Sequence, residues 1–335
     1  MVNSPKIRLA PLNVPFERRI QTAATALWLV SLPLTILIFF ISCTIIFLWP
    51  LIIPYLLFIL FDIAPENGGR RYEFARRAKF WKWYSDYFPA KLIKQVDLDP
   101  SKNYVFGNHP HGVISVGGWI TFATESTGFS ELFPGITCRM LTLTTNFNIP
   151  LYRDYLMAQG LASVSRQSCM NILRRGPGNS VMIVVGGAGE SLSARPGIND
   201  LILKKRLGFI KIAIVSGASL CPVFSFGEND IWDQADNPEG SMLWRFQKSV
   251  QKLSGWTLPL FHGRGIFNYD WGFLPHRRPI VTVVGKPIDV VQNDNPTEEQ
   301  LLEVQKKYIA ELYEIWDNYK DIYAKNRKRE LTLIE

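Results

Sequence analysis

Tyr104-Val105-Phe106-Gly107-Asn108-His109-Pro110-His111-Gly112 is the stretch on which the fold turns, together with the apolar and small residues that follow it from Ile114 to Thr124. The run up to Gly107 reads as a buried strand, and 114–124 reads as a helix. A strand that enters a tight turn and leaves as a helix is half of an α/β unit. Such turns stand at the carboxyl ends of strands, where open α/β sheets bind ligands. Two of the chain's four histidines sit in this one turn. Imidazole titrates near neutrality and is the commonest general base for a hydroxyl, so His111 or His109 is the expected base. Pro110 stiffens the turn, and Gly112 is expected to leave room for a substrate. A hydrogen-bonded structural pair is the plain alternative. A metal site is a third, but no further His, Cys, Asp or Glu ligand stands within ten residues.

Outward from the quartet, short apolar runs at 139–144, 181–186, 220–226 and 279–285 read as further strands, with 103–107 as the first. Val181-Met182-Ile183-Val184-Val185 is continuously apolar, as expected of a strand covered on both faces. It runs into Gly186-Gly187-Ala188-Gly189-Glu190-Ser191, a glycine-rich turn presenting one carboxylate. Glu190 is the expected partner that orients the imidazole, and the glycines expose N–H groups able to hold an oxyanion or phosphate. The turn is neither a P-loop, since no Gly-Lys-[Ser/Thr] follows, nor a dinucleotide fingerprint. Residues 208–217 read as a helix closed by Gly217. The last helix follows Pro296, with Thr297 as N-cap, Gln300 at the capping-box position, and Val304, Tyr308, Leu312, Ile315 and Tyr319 as its buried stripe. Residues 100–335 therefore read as one α/β domain.

The N-terminal third is different. Residues 20–61 contain no charged side chain. As continuous helix they would extend about 63 Å, against roughly 30 Å of bilayer hydrocarbon. Two spans with a bend fit that length; Pro33, Pro50 and Pro54 offer bends, and another lies near Ser42-Cys43-Thr44. A cleaved signal peptide is shorter and ends in small residues, so it does not match. Of the formal net charge of +8, most flanks this stretch. Lys6, Arg8, Arg18 and Arg19 face one acid (Glu17) before it, and eight basic residues face four acids in 62–95. Basic flanks at both ends predict a membrane hairpin with both ends cytosolic. They account for the positive charge without nucleic acid. The organisation expected is a basic cytosolic N-terminus (1–19), a membrane-embedded hairpin (20–63), an interfacial amphipathic connector rich in Trp, Tyr and Lys (64–99) and the cytosolic domain (100–335). Four widely spaced cysteines exclude a disulfide scaffold and a CxxC site.

In order along the chain stand Gly68-Gly69-Arg70-Arg71, Tyr87-Phe88-Pro89, Phe106-Gly107-Asn108-His109-Pro110-His111-Gly112, Phe133-Pro134-Gly135, Val185-Gly186-Gly187-Ala188-Gly189-Glu190-Ser191-Leu192, Arg195-Pro196-Gly197, Gly208-Phe209-Ile210-Lys211, Phe226-Gly227-Glu228-Asn229 and Phe261-His262-Gly263-Arg264-Gly265. From about Phe61 to the C-terminus the chain thus resembles the type-2 diacylglycerol acyltransferases, which include monoacylglycerol and wax-alcohol acyltransferases. The resemblance implies a glycerolipid-acyltransferase-like α/β domain with a mixed sheet flanked by helices, behind a transmembrane helical hairpin in the endoplasmic reticulum membrane; lipid droplets are a second location it leaves open. It implies acyl transfer from acyl-CoA to diacylglycerol, with a monoacylglycerol or fatty-alcohol acceptor, or a non-catalytic lipid-binding role, as alternatives. No cofactor is expected, because the thioester carries the driving force. The broader glycerolipid acyltransferases carry His followed five positions later by Asp. Here Ile114 and Val116 stand at those places, so the acid comes from elsewhere, with Glu190 first and Glu125 and Glu228 behind it. Asn108, Gly112, Gly187, Arg195, Lys211, Glu228 and Arg264 are the candidate substrate contacts, the three cations for CoA phosphates. A homo-oligomer is left open.

Overall fold

The computed structural model describes residues 8–11, 13–235, 237–238 and 240–334; Lys6, counted above in the basic N-terminus, lies outside them. Seven strands build the main sheet: β1 (Lys91–Lys94), β2 (Tyr104–His109), β3 (Thr137–Thr142), β4 (Ala162–Ser163), β5 (Asn179–Val184), β6 (Ser219–Phe226) and β7 (Val281–Val284). Their spatial order is β1-β7-β6-β2-β5-β3-β4. Every neighbouring pair is parallel except β7 against β6. The sheet is therefore mixed and mostly parallel. Five of its strands, β2, β3, β5, β6 and β7, are the five apolar runs of the sequence, shifted by one to two residues at some ends. The Lys91-Leu92-Ile93-Lys94 edge strand and the two-residue β4 carry too little periodicity to be read in advance.

Helices cover both faces, which is why β2 and β6 are buried along their whole length. The helices named below are α1 (Phe16–Leu29), α2 (Ser31–Thr44), α3 (Trp49–Phe61), α4 (Lys79–Tyr87), α5 (Tyr152–Ala158), α6 (Arg166–Leu173), α7 (Gly187–Ser191), α8 (Gly208–Ser216) and α9 (Glu298–Tyr323). On one face Ile172, Phe209, Ala213, Tyr308, Leu312 and Ile315 of α6, α8 and α9 close over Val105, Val181 and Leu220. The capping box of α9 is formed as expected, with Thr297 Oγ1 accepting from the Gln300 N–H and Gln300 Oε1 accepting from the Thr297 N–H. On the other face α1, α4, α5 and the short helical stretch 116–123, within the 114–124 read as a helix, cover Phe106 and Met182.

Residues 20–29, the start of the stretch read above as membrane-embedded, form most of α1, whose buried side (Gln21, Ala24, Thr25, Trp28) packs on the body. The Trp28 ring meets those of Tyr84 and Trp119 at 4.9 and 5.6 Å. The aromatic connector is likewise core rather than surface: Trp81, Tyr84, Tyr87 and Phe88 are buried. Alternating aromatics and lysines look amphipathic in either setting, and α1 lying over them decided the matter. Beyond α1 the character changes abruptly. Neither α2 nor α3 has one buried residue, and both are mostly apolar and carry no charged side chain. Among the described residues no single helix is long and apolar enough to cross a membrane; α1 and α2 are bent by 62° at their junction. The base of α3 is tied to the body by Asp62, which accepts from Arg70 and from the buried Arg153 at 2.6 Å each. Tyr55 adds hydrogen bonds to Asp154 and to the Leu151 N–H.

Candidate active site

The quartet leaves β2 at the carboxyl end of the sheet, between β5 and β6. His109 is the last residue of β2 and His111 lies beyond the turn at Pro110, so the two rings part there. His109 points towards α9, is fully buried, and its Nε2 lies 2.9 Å from the Tyr308 hydroxyl. That hydroxyl donates to the Gly107 carbonyl at 3.0 Å, so the ring nitrogen facing it is the one that carries a proton. A Cβ on Gly107 would sit 2.1 Å from the Tyr308 oxygen, which is why glycine stands there. Burial pushes the His109 pKa down to about 3, so the ring is neutral.

His111 lies past the turn and lines a cavity of about 420 Å³. Its Nδ1–H donates to the Gly112 carbonyl at 3.0 Å, leaving Nε2 as the ring's lone-pair nitrogen. Burial lowers its pKa, against the partial opposing effect of that carbonyl. The cavity walls are aromatic and aliphatic: Trp28 and Leu32 from the α1–α2 elbow, Trp119, Tyr155, Trp256 and Phe261. Gly187 and Ala188 at the start of α7 complete the wall.

Two buried carboxylates hold the turn, and neither touches an imidazole. Glu190 Oε1 accepts from the His111 main-chain N–H at 2.6 Å, and Oε2 accepts from the Ile202 N–H at 2.8 Å. The expected carboxylate–imidazole pair is thus corrected to a carboxylate–backbone clamp. The reason is geometric: α7 starts so soon after β5 that Glu190 reaches the loop beneath the ring. Glu228 accepts from the Val116 and Gly117 N–H groups at 2.8 and 2.7 Å, fixing the exit from the turn. Burial raises both carboxyls to about 7, while the N–H donors on each pull downward. Gly112 is also explained differently from the expectation. It has φ +58°, and a Cβ would meet Glu228 at 2.6 Å, so the space above it is filled by Glu228 rather than kept for substrate. Asn108 is fully buried between Ser115 and Ser225, with its Oδ1 accepting from the Ser225 hydroxyl at 3.1 Å; it braces the turn and does not reach the cavity.

The remaining candidates are spread out. Glu125 is paired with Arg76 at 2.9 Å and Arg71 at 3.3 Å, away from the quartet. Arg195 donates to the Ala235 carbonyl, and Lys211 is exposed on α8; neither lines the His111 cavity. Arg264 stacks over Tyr269 at 4.6 Å in a neighbouring cleft. Among the described residues no group of three or more His, Cys, Asp or Glu is placed to hold a metal ion. Sequence reasoning missed Tyr308 as the partner of His109, since its helical spacing marks only a buried position.

A family sequence model described as "Diacylglycerol acyltransferase" matches residues 39–334. The chain belongs to that family. Diacylglycerol O-acyltransferase 2B of Umbelopsis ramanniana is 56% identical over 98% of this chain and 96% of its own length. Diacylglycerol O-acyltransferase 2 of Dictyostelium discoideum is 48% identical over 95% of this chain and 97% of its own. 2-Acylglycerol O-acyltransferase 1 of Bos taurus is 49% identical over 95% of this chain and 97% of its own. Family membership extends through the quartet, both carboxylate clamps and α9.

Proposed function

We propose that this member of the diacylglycerol acyltransferase family transfers the acyl group of acyl-CoA to the free hydroxyl of diacylglycerol, with His111 as general base. The observation that carries the reading is the position of His111: a neutral ring with its Nε2 lone pair uncommitted, in an apolar cavity whose rim is the elbow at Trp28–Leu32, where the chain passes into α2. Nε2 takes the acceptor hydroxyl's proton as that oxygen attacks the thioester carbonyl carbon. The Gly187 and Ala188 N–H groups, in the first turn of α7 and without a side-chain cap, serve the oxyanion. The carbon–sulfur bond then breaks, and the imidazolium returns the proton to the thiolate, releasing CoA. Glu190 acts by holding the His111 backbone. The relatives named 2-acylglycerol O-acyltransferase favour monoacylglycerol as a second acceptor.

Helices α2 and α3 are the arms of a re-entrant hairpin in the endoplasmic reticulum membrane. At 14 and 13 residues they extend about 21 and 20 Å, short of roughly 30 Å of hydrocarbon, so both ends return to the cytosolic side. Exposed Phe40, Phe47, Leu51 and Phe61 suit lipid contact. A diacylglycerol in the leaflet would then meet the cavity at the elbow. Microsomes from cells lacking their own neutral-lipid acyltransferases, given labelled acyl-CoA with diacylglycerol, monoacylglycerol or hexadecanol, provide the test. Labelled triacylglycerol that disappears in His111→Ala at equal protein level is the expected result. No labelled ester with any acceptor would overturn the reading in favour of a lipid-binding scaffold.

A further inference from the structure

A second cavity, of about 600 Å³, opens beside the first between the start of α1 and the 264–277 segment. Arg18, Arg19, Arg264 and Arg277 line it, and no carboxylate is among its lining residues. Arg277 is half-buried and donates to neutral groups: Gln21 Oε1, the Arg18 carbonyl at 3.3 Å and the Thr22 hydroxyl at 3.4 Å. Its guanidinium also covers the Tyr87 ring at 4.1 Å. Arg277 is repelled by the neighbouring Arg18 and Arg264, and a bound polyanion relieves that repulsion.

The cleft and the His111 cavity share two walls. On α1, Thr22 and Ala26 line the cleft and Leu29 lines the histidine cavity. Positions 22, 26 and 29 lie on one helix face, and the step from Thr22 to Leu29 is about 10 Å. In the loop beyond, Phe261 lines the histidine cavity and Arg264 the cleft, only three residues later. A molecule with clustered phosphates at one end and a thioester at the other would therefore lie along α1, with its charged end on the arginines and its reacting carbonyl beside His111.

We infer that the arginine cleft formed by Arg18, Arg19, Arg264 and Arg277 binds the phosphorylated nucleotide end of the acyl-CoA donor. This rests on the acyl-CoA-dependent reading above and supplies the location of the donor's charged half. The 3′-phosphate and diphosphate bring several negative charges to the guanidinium forks, and Ile266, Phe267 and Tyr269 offer the adenine an apolar wall.

The test uses the full-length protein in detergent. Direct binding of free CoA is measured for wild type, Arg264→Gln, Arg277→Gln and Arg277→Lys, so that the readout does not require turnover. Each neutral variant is expected to weaken CoA binding roughly 10- to 100-fold, the loss of one charge-assisted hydrogen bond, with partial recovery in Arg277→Lys. In parallel, the ratio of kcat/KM for acyl-CoA to that for S-acyl-N-acetylcysteamine, which lacks the nucleotide, should fall by a similar factor. Unchanged CoA affinity would overturn the inference. So would equal losses with both donors accompanied by a lower Tm, which would mark the arginines as structural. Unchanged CoA affinity with lost binding to vesicles containing phosphatidic acid would assign the cleft to a lipid headgroup instead. Normal CoA binding by a wild type that forms no ester would sink the acyltransferase reading and leave the cleft assigned.

Discussion

His109 and His111 are two residues apart, yet the structure places them in opposite environments. His109 faces the α9 side of the sheet, closed off from solvent and spoken for by Tyr308. His111 faces the α1 side, with one nitrogen held by the Gly112 carbonyl and the other left to an open cavity. The same imidazole is thus a brace in one place and a base in the other. What separates them is the turn at Pro110 and the two carboxylates that grip the main chain after it, at His111 and at Val116–Gly117. On strand spacing alone, residues two apart would share a face; the turn sends the two rings apart, one into tight packing and the other into a hollow.

The sharpest way to break this contrast is to remove each ring. His111→Ala should lower kcat by about 10²–10⁴-fold, the usual worth of a positioned base, at unchanged Tm. His109→Ala should instead show first as instability, because it empties a fully buried site and removes the ring's hydrogen bond to Tyr308; about 1–3 kcal/mol is expected by chemical or thermal unfolding. If His109→Ala silences a protein of normal Tm while His111→Ala keeps turning over, the assignment is reversed.

Glu190→Gln comes next. Gln offers one acceptor where two N–H groups need one each, so the loop under His111 loosens at a cost of about 1–3 kcal/mol. Activity should fall with the response concentrated in kcat rather than in the KM for acceptor. A pure loss of stability with normal kcat in the folded fraction would reduce Glu190 to scaffold. Tyr308→Phe removes a single hydroxyl and should cost about 1 kcal/mol with little change in turnover.

The pH dependence sharpens the comparison further. Because burial holds the His111 pKa below the ordinary 6.5, the base is unprotonated at neutrality and the acid limb of the kcat profile should lie below that value. The buried carboxyls act oppositely on stability. With folded pKa values near 7 against an ordinary 4.5, Glu190 and Glu228 bind more protons folded than unfolded between those values. Their contribution is fully present below pH 4.5 and is lost as pH rises towards about 7. Glu228→Gln should flatten that slope in a series of unfolding curves.

The exposed apolar helices α2 and α3 and the body make a second contrast, between segments that composition describes equally well. A run of 42 uncharged residues reads as membrane from end to end. The first ten of these make up most of α1, one side of which packs on the body because Trp28 found aromatic partners at Tyr84 and Trp119. Hydropathy counts residues and cannot see which side of a helix has a partner. The same limit explains the Trp- and Tyr-rich 80–88 segment, whose rings proved to be the surface on which α1 sits.

By itself the sequence determined the α/β class, the five main strands, the capping box of α9, the quartet with its glycine-rich companion, and the family. Those features are local: a period, a cap or an ordered motif is complete within a few residues. Only the tertiary structure decided which histidine faces a cavity, that Glu190 and Glu228 clamp backbone instead of a ring, and that Arg18 and Arg277, more than 250 residues apart, converge on one cleft. Each of those depends on which elements the sheet order brings together, and a strand's alternation says only that two faces exist, not which of them will be filled.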